Sequence, residues 1–165
     1  MLQRNRIMSA LFLAAIAGGA SAGTVDVSFV NAGNYWDSGT SVWDQADNLK
    51  MLATHLQKLG QHWLPPDQVL KVEVLQVDLA GTVRPLHGRN AVRVITGNAD
   101  SPKMQVRYVL QAGGTTLASG EEWVTDLDYT HGMVNPYHSE SLYYEKRMLD
   151  NWFKKRFVDS QAAPG

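Results

Sequence analysis

Four carboxylates crowd one late stretch of the chain: Glu121, Glu122, Asp126 and Asp128. Two carboxyl groups at a set separation are what a glycosidase uses, one as acid and the other as base or nucleophile. On a strand, Glu122, Asp126 and Asp128 share a side. An outward acidic face is simply solvated, whereas an inward carboxylate would seek Arg93 or Arg107 as a partner. Just beyond, His131 and His138 flank a loop that also holds Asp128, Tyr129, Asn135 and Tyr137. Imidazole and carboxylate groups suit zinc or copper. A His-x6-His spacing within a loop fixes no coordination geometry, so no metal ligand and no cofactor is assigned. The same residues fit a polar connection that docks the next helix, or a ligand-contacting loop of the kind that long connections often form.

The other chemistry-bearing groups are more isolated. His55 and His62 stand two helical turns apart, about 10.5 Å of rise, too far to share one ion. Both fall off the apolar face of their helix and read as solvated. Ser119 lies in Ala-Ser-Gly, without the Gly-x-Ser-x-Gly elbow of a hydrolase. Gly113-Gly114 precedes no helix and so is a hairpin turn, not a phosphate cradle. Tyr35 and Trp36 are adjacent aromatics in a Gly/Asn-rich loop. Such a pair either covers one end of the core or offers a surface to a protein or a sugar.

These groups need a scaffold, and the chain's start says where it is built. Arg4 and Arg6, the apolar run 7–17 and the small residues Ala20, Ser21 and Ala22 have the layout of a secretory signal with cleavage after Ala22. The run is too short to span a bilayer. Asn5 between the arginines rules out a twin-arginine signal, and with no cysteine there is no site for a lipoprotein anchor. The expected product is periplasmic or extracellular, with no transmembrane segment once the signal is removed. It keeps 13 basic against 16 acidic residues, a net charge of −3. That balance argues against nucleic acid as a partner, which calls for a concentrated basic face. Without cysteine there is neither a disulfide nor a thiol nucleophile.

Hydropathy patterning then orders the elements. Val25, Val27 and Phe29 alternate with polar residues as a half-buried strand. Ser41, with Asp44 three residues on, opens a helix. Its apolar face reads Val42, Ala46, Leu49, Leu52, Ala53, Leu56, Leu59 and Trp63. Gly60 interrupts it at a cost of about 1 kcal/mol, and Pro65-Pro66 ends it. A second strand covers 69–83, with a bulge near Leu75-Gln76 where the parity changes, and a kink or turn at Ala80-Gly81. A loop at 85–90, a short strand at 91–96 and a turn at 97–102 follow.

Met104, Val106, Tyr108 and Leu110 share a face of the next strand. After Gly113-Gly114 the return strand runs to about Leu127, with Leu117, Trp123 and Leu127 on one parity and a bend near Gly120. Ser139 or Ser141 is positioned to cap a closing helix. On that helix Met148, Leu149, Trp152, Phe153 and Phe157 form one stripe, while Lys146, Arg147, Asp150 and Lys154 lie opposite. The order β-α-β-β-β-β-α gives an α+β two-layer sandwich. A mostly antiparallel sheet of four or five strands carries both helices on one face. Residues 23–158 make a single domain and 159–165 a tail. If the first strand and the 69–83 strand share a sheet in parallel, the crossover between them should be right-handed.

Three phrases carry a resemblance: Val-Leu-Lys-Val-Glu-Val-Leu-Gln-Val-Asp-Leu-Ala-Gly from Val69, Ser-Gly-Glu-Glu from Ser119, and Tyr-Glu-Lys-Arg-Met-Leu-Asp-Asn-Trp-Phe from Tyr144. Together they resemble the secreted proteobacterial proteins grouped as domain of unknown function 3016. The resemblance spans nearly all of the chain beyond the signal. It implies export and one domain, and brings no catalytic residues. More loosely, the element order is similar to small envelope-assembly and transport-accessory domains, an analogy of fold alone.

The expectation is a non-enzymatic binding or accessory module of the cell envelope, with an envelope protein or envelope component as partner. Its candidate residues are Tyr35 and Trp36 in one loop and Asp128, Tyr129, His131, Asn135, Tyr137 and His138 in the other. The alternative is a hydrolase or metal-binding protein that uses the 128–138 loop.

Overall fold

The computed structural model describes residues 22–86, 89–97, 99–131 and 140–160. Strand β1 (Thr24–Phe29) leads through a loop to helix α1 (Val42–Trp63), which returns the chain to β2 (Gln68–Asp78). Strands β3 (Thr82–Leu86) and β4 (Arg89–Val94) form a hairpin. Strands β5 (Lys103–Ala112) and β6 (Thr115–Thr125) form another, and helix α2 (Tyr143–Phe153) closes the chain. The main sheet has the order β1-β2-β5-β6, with β3-β4 as a separate two-stranded ribbon. β1 and β2 are parallel, as a helical crossover allows, and the other pairs are antiparallel. This is the α+β arrangement that the patterning predicts.

The local signals explain most of these boundaries. The Ser41 hydroxyl accepts the Asp44 amide at 3.1 Å, the N-cap bond expected of it. Asp44 in turn accepts from the amide and hydroxyl of Thr40 at 2.7 and 2.9 Å. Gly113 and Gly114 both have positive φ, which a two-residue turn between right-twisted strands requires. The register of β2 against β5 shifts between Val74 and Gln76. That bulge keeps Leu70, Val72, Val74 and Val77 all buried despite the change in parity.

The core lies between the sheet and the two helices. Leu49, Leu52, Leu56 and Leu59 of α1 meet Val25, the β2 row and Met104, Val106, Tyr108 and Leu110 of β5. The α2 stripe is buried as its spacing predicts, from Met148 to Phe157. The rings of Tyr108, Trp152, Phe153 and Phe157 pack edge to face, with centroids 5.1–6.4 Å apart. Gly60 has a packing reason. A β-carbon there would sit 2.2 Å from Cγ2 of Val25, so α1 crosses β1 on a bare backbone.

Several expectations are corrected. Val42 and Ala46 are exposed, because the first turn of α1 extends past the sheet before its apolar stripe meets the core. Trp63 is also partly exposed and lies beneath Lys154 Nζ, 5.2 Å from the ring centroid. The expected 69–83 strand is two elements. β2 ends at Asp78, and the chain turns at Ala80-Gly81 into the β3-β4 ribbon. β6 ends at Thr125 rather than near Leu127, and the parity of Leu117 and Trp123 faces away from the core. Val124 faces Met104 inside, while Leu117, Trp123 and Leu127 are exposed. The inner side of β6 is small because the Tyr108, Trp152 and Phe157 rings fill that space. Finally, Leu142, in the left-handed region, precedes α2 without a side-chain cap, so Ser141 does not cap it. Ser139 lies outside the described residues.

Candidate functional site

The 31–41 loop is stitched along β2 rather than left free. The Tyr35 hydroxyl donates to the Val74 carbonyl at 2.8 Å, and the ring packs against the core. Burial pushes the Tyr35 phenol up to about 12. The Trp36 amide donates to Gln76 Oε1 at 2.7 Å, so the residue that follows the bulge in β2 also fixes the loop. Asp37 then continues the pairing with β2. Its amide donates to Val77 O and its carbonyl accepts from Leu79 N, both at 3.1 Å.

Beyond that point lies a half-buried polar clamp. Arg93 of β4 grips both carboxylate oxygens of Asp37 at 2.8 Å and also donates to the Ala80 carbonyl at 3.2 Å. A two-pronged pair of this kind fixes orientation as well as distance. Glu145, only 3% exposed, accepts the Ala80 amide at 2.7 Å. Burial pushes the Glu145 carboxyl above its ordinary range, with Arg93 partly opposing. Asp78 is raised as well, chiefly by burial, with Lys103 opposing. The clamp therefore joins loop, ribbon and closing helix at one end of the sheet.

The clamp holds Trp36 over the sheet face that the helices leave open. Trp123, pointing away from the core by the alternation of β6, lies on the same face. The two indoles stack at 5.3 Å between centroids and 18° between planes, yet Trp36 stays 65% exposed and Trp123 44%. Beneath them, Gln105 of β5 lies opposite both Gln76 and Trp123. The next row crosses all four strands as Ser28, Glu73, Arg107 and Glu121. Arg107 pairs with Glu73 at 2.8 Å and Glu121 at 2.9 Å, and Gln105 donates to Glu121 at 2.9 Å. These exposed pairs contribute little stability. They keep the face polar beside the aromatic pad. Of the five tryptophans, Trp152 alone lies in the core; Trp43 and Trp63 are exposed like the pair.

The second predicted group comes out differently. Tyr129 is fully buried, and its hydroxyl donates to Asp100 at 2.6 Å; burial, then that bond, pushes it up to about 12. Asp100 is held well below the ordinary carboxylate range by Tyr129 and by Thr96. Tyr129 is thus a packing post, edge to face with Tyr144 of α2. Asp128 and His131 meet at 2.8 Å but are both exposed at the surface. Asn135, Tyr137 and His138 lie outside the described residues, and Ala22 is exposed where these begin.

The remaining carboxylates are partnered. Glu122 accepts from Trp152 Nε1 at 3.0 Å and from Arg156; burial alone would raise it, but these bonds hold it below its ordinary range. Asp126 pairs with Arg147 at 2.8 Å. His55, expected to be solvated, instead meets Asp150 of α2 at 2.7 Å and ties the helices together. Among the described residues no group of three or more His, Asp or Glu side chains is placed to hold a metal ion.

Sheet, helices and ribbon define an α+β two-layer domain whose open face carries an aromatic pad. The family follows from the sequence: the model of the family described as "Protein of unknown function (DUF3016)" matches residues 23–155, so the chain belongs to that family. Neither the curated proteins nor the solved structures hold a match to this chain.

Proposed function

We propose that this chain is an exported, non-enzymatic binding module of the cell envelope, which recognises an envelope protein or envelope component through its open sheet face. The observation that carries this reading is the Trp36–Trp123 stack, two large indoles left in water on a rigidly clamped surface. Exposed tryptophan costs solubility, and such residues concentrate where partners dock. The clamp of Asp37, Arg93 and Glu145 orders the loop in advance, which reduces the entropy lost on binding. Export and the periplasmic location rest on the signal-like N-terminus. No helix among the described residues is long and apolar enough to cross a membrane.

The hydrolase or metal reading of the 128–138 loop draws on the Asp128–His131 pair, which lies in the open rather than in a concave pocket. The test is a pull-down from envelope extract with the wild type, Trp36→Ala, Trp123→Ala and Trp43→Ala. All four should fold alike, since exposed substitutions shift stability by about 0.5 kcal/mol or less. The first two variants should lose the captured partner and Trp43→Ala should keep it. Equal capture by all four would refute the reading.

A further inference from the structure

β6 is an edge of the main sheet, and among the described residues nothing pairs with its outer side. Natural edges are usually blunted by lysine, proline or a short strand. β6 has 11 residues, with neither lysine nor proline. Its register shift against β5 lies near Leu110, far from its C-terminal half.

Beside that half runs a groove of about 380 Å³. One wall is the consecutive stretch 122–126, which runs along the unpaired edge strand and just past its end. The other wall is Met148, Asn151, Trp152 and Lys155, the three- and four-residue spacing of one helix face. α2 widens there into a π-helical segment, Lys154–Asp159, which carries Lys155 and Arg156. Such widenings recur at functional positions. The groove's charges are mostly satisfied internally, Glu122 by Arg156 and Asp126 by Arg147. Lys155, exposed at the rim, forms no direct ion pair among the described residues and acts on Glu122 only at longer range.

We infer that the groove between β6 and α2 takes an extended peptide from a partner protein as a fifth strand of the sheet, with an acidic side chain set against Lys155. An unpaired strand edge recognises another backbone, and alternate side chains of the added strand then enter the groove. Trp123 belongs to both sites: it lies in the strand wall of the groove, while its indole stacks with Trp36 on the open face of the sheet.

The probes are two capped seven-residue peptides, one alternating valine with glutamate and the other valine with lysine. They are titrated into the isotope-labelled protein and followed by amide NMR. The glutamate peptide should shift the amides of residues 122–126 and the Trp152 indole N–H saturably, and the lysine peptide should not. Lys155→Glu should weaken the glutamate peptide about fivefold and favour the lysine one. Trp36→Ala, which removes the ring stacked on Trp123, should leave the affinity for the glutamate peptide unchanged, so failure here and failure of the pad reading are distinguishable. The inference is overturned if neither peptide moves these signals at about millimolar concentration, or if both bind equally. It is also overturned if the same amides move on dilution of the protein alone, which would assign the edge to a second copy of the chain.

Discussion

Glu145 is the residue whose replacement says most about how the binding face is held. Its carboxylate is buried and its Oε1 accepts the amide of Ala80, which is itself buried. The Ala80 carbonyl accepts from Arg93, and Arg93 holds Asp37. Glu145→Ala removes the acceptor and leaves a buried N–H unpaired, a loss of about 1–3 kcal/mol. At about 2–4 °C per kcal/mol for a domain near this size, the melting temperature should fall by about 2–12 °C. Glu145→Gln keeps a carbonyl oxygen in place and removes a desolvated charge, so near neutral pH it should stay within about 1 kcal/mol of wild type.

The pH dependence has a definite sign. Burial raises the folded-state pKa of Glu145, so the native state holds this proton more tightly than the unfolded chain. Its contribution is most favourable below the ordinary carboxyl pKa. It declines as pH rises from there through the raised folded value. Asp100, held low by Tyr129, works the other way: its contribution is present above the ordinary value and lost as pH falls below it. Asp100 is common to both proteins and cancels in the difference between wild type and Glu145→Gln. That difference, from urea unfolding between about pH 4 and 8, should therefore shift against wild type as pH rises. Glutamine as damaging as alanine, or a difference of the opposite slope, would refute the role assigned to Glu145.

Gly60→Ala should gain about 1 kcal/mol of helix propensity and lose about 1–3 kcal/mol to the clash with Val25, for a net loss. Adding Val25→Ala should relieve the clash, so the double-mutant cycle should show a favourable coupling; a stabilising single variant would contradict the packing at this crossing. Tyr129→Phe keeps the buried ring but breaks the bond to Asp100, and should cost about 1.5–3 kcal/mol by denaturant unfolding, with less stability lost on acidification than in wild type.

Much of the scaffold was legible because local rules and tertiary packing agree in it. The Ser41 cap, the Gly113-Gly114 turn, the bulge after Val74 and the α2 stripe each express themselves within a few residues. In β6 residue size is no guide to burial. Leu117 and Trp123 are its largest apolar side chains, yet the inner space belongs to aromatics of β5 and the closing helix segment, and Ala118 and Gly120 make room for them. The parity of Val124 and Glu122 carried the correct signal.

The functional face depends on contacts that no local pattern encodes. Asp37 meets Arg93 across 56 residues of chain, and Trp36, in the loop beside β2, reaches past β5 to stack on Trp123 of β6. Tyr35 and Trp36 were recognisable as a pair, but they divide their roles: Tyr35 anchors the loop in the core and Trp36 is presented. His55 shows the same limit, since its acceptor lies on another helix.

The central claim is that partners dock on the open sheet face beside the tryptophan pair. A photoreactive amino acid in place of Ser119, on that face, and another in place of Lys58, on the exposed side of α1, test it in intact cells. The account predicts a discrete crosslinked product from position 119, lost when Trp36→Ala is added, and none from position 58. A product from position 58 alone, or one from position 119 that survives Trp36→Ala, would contradict it.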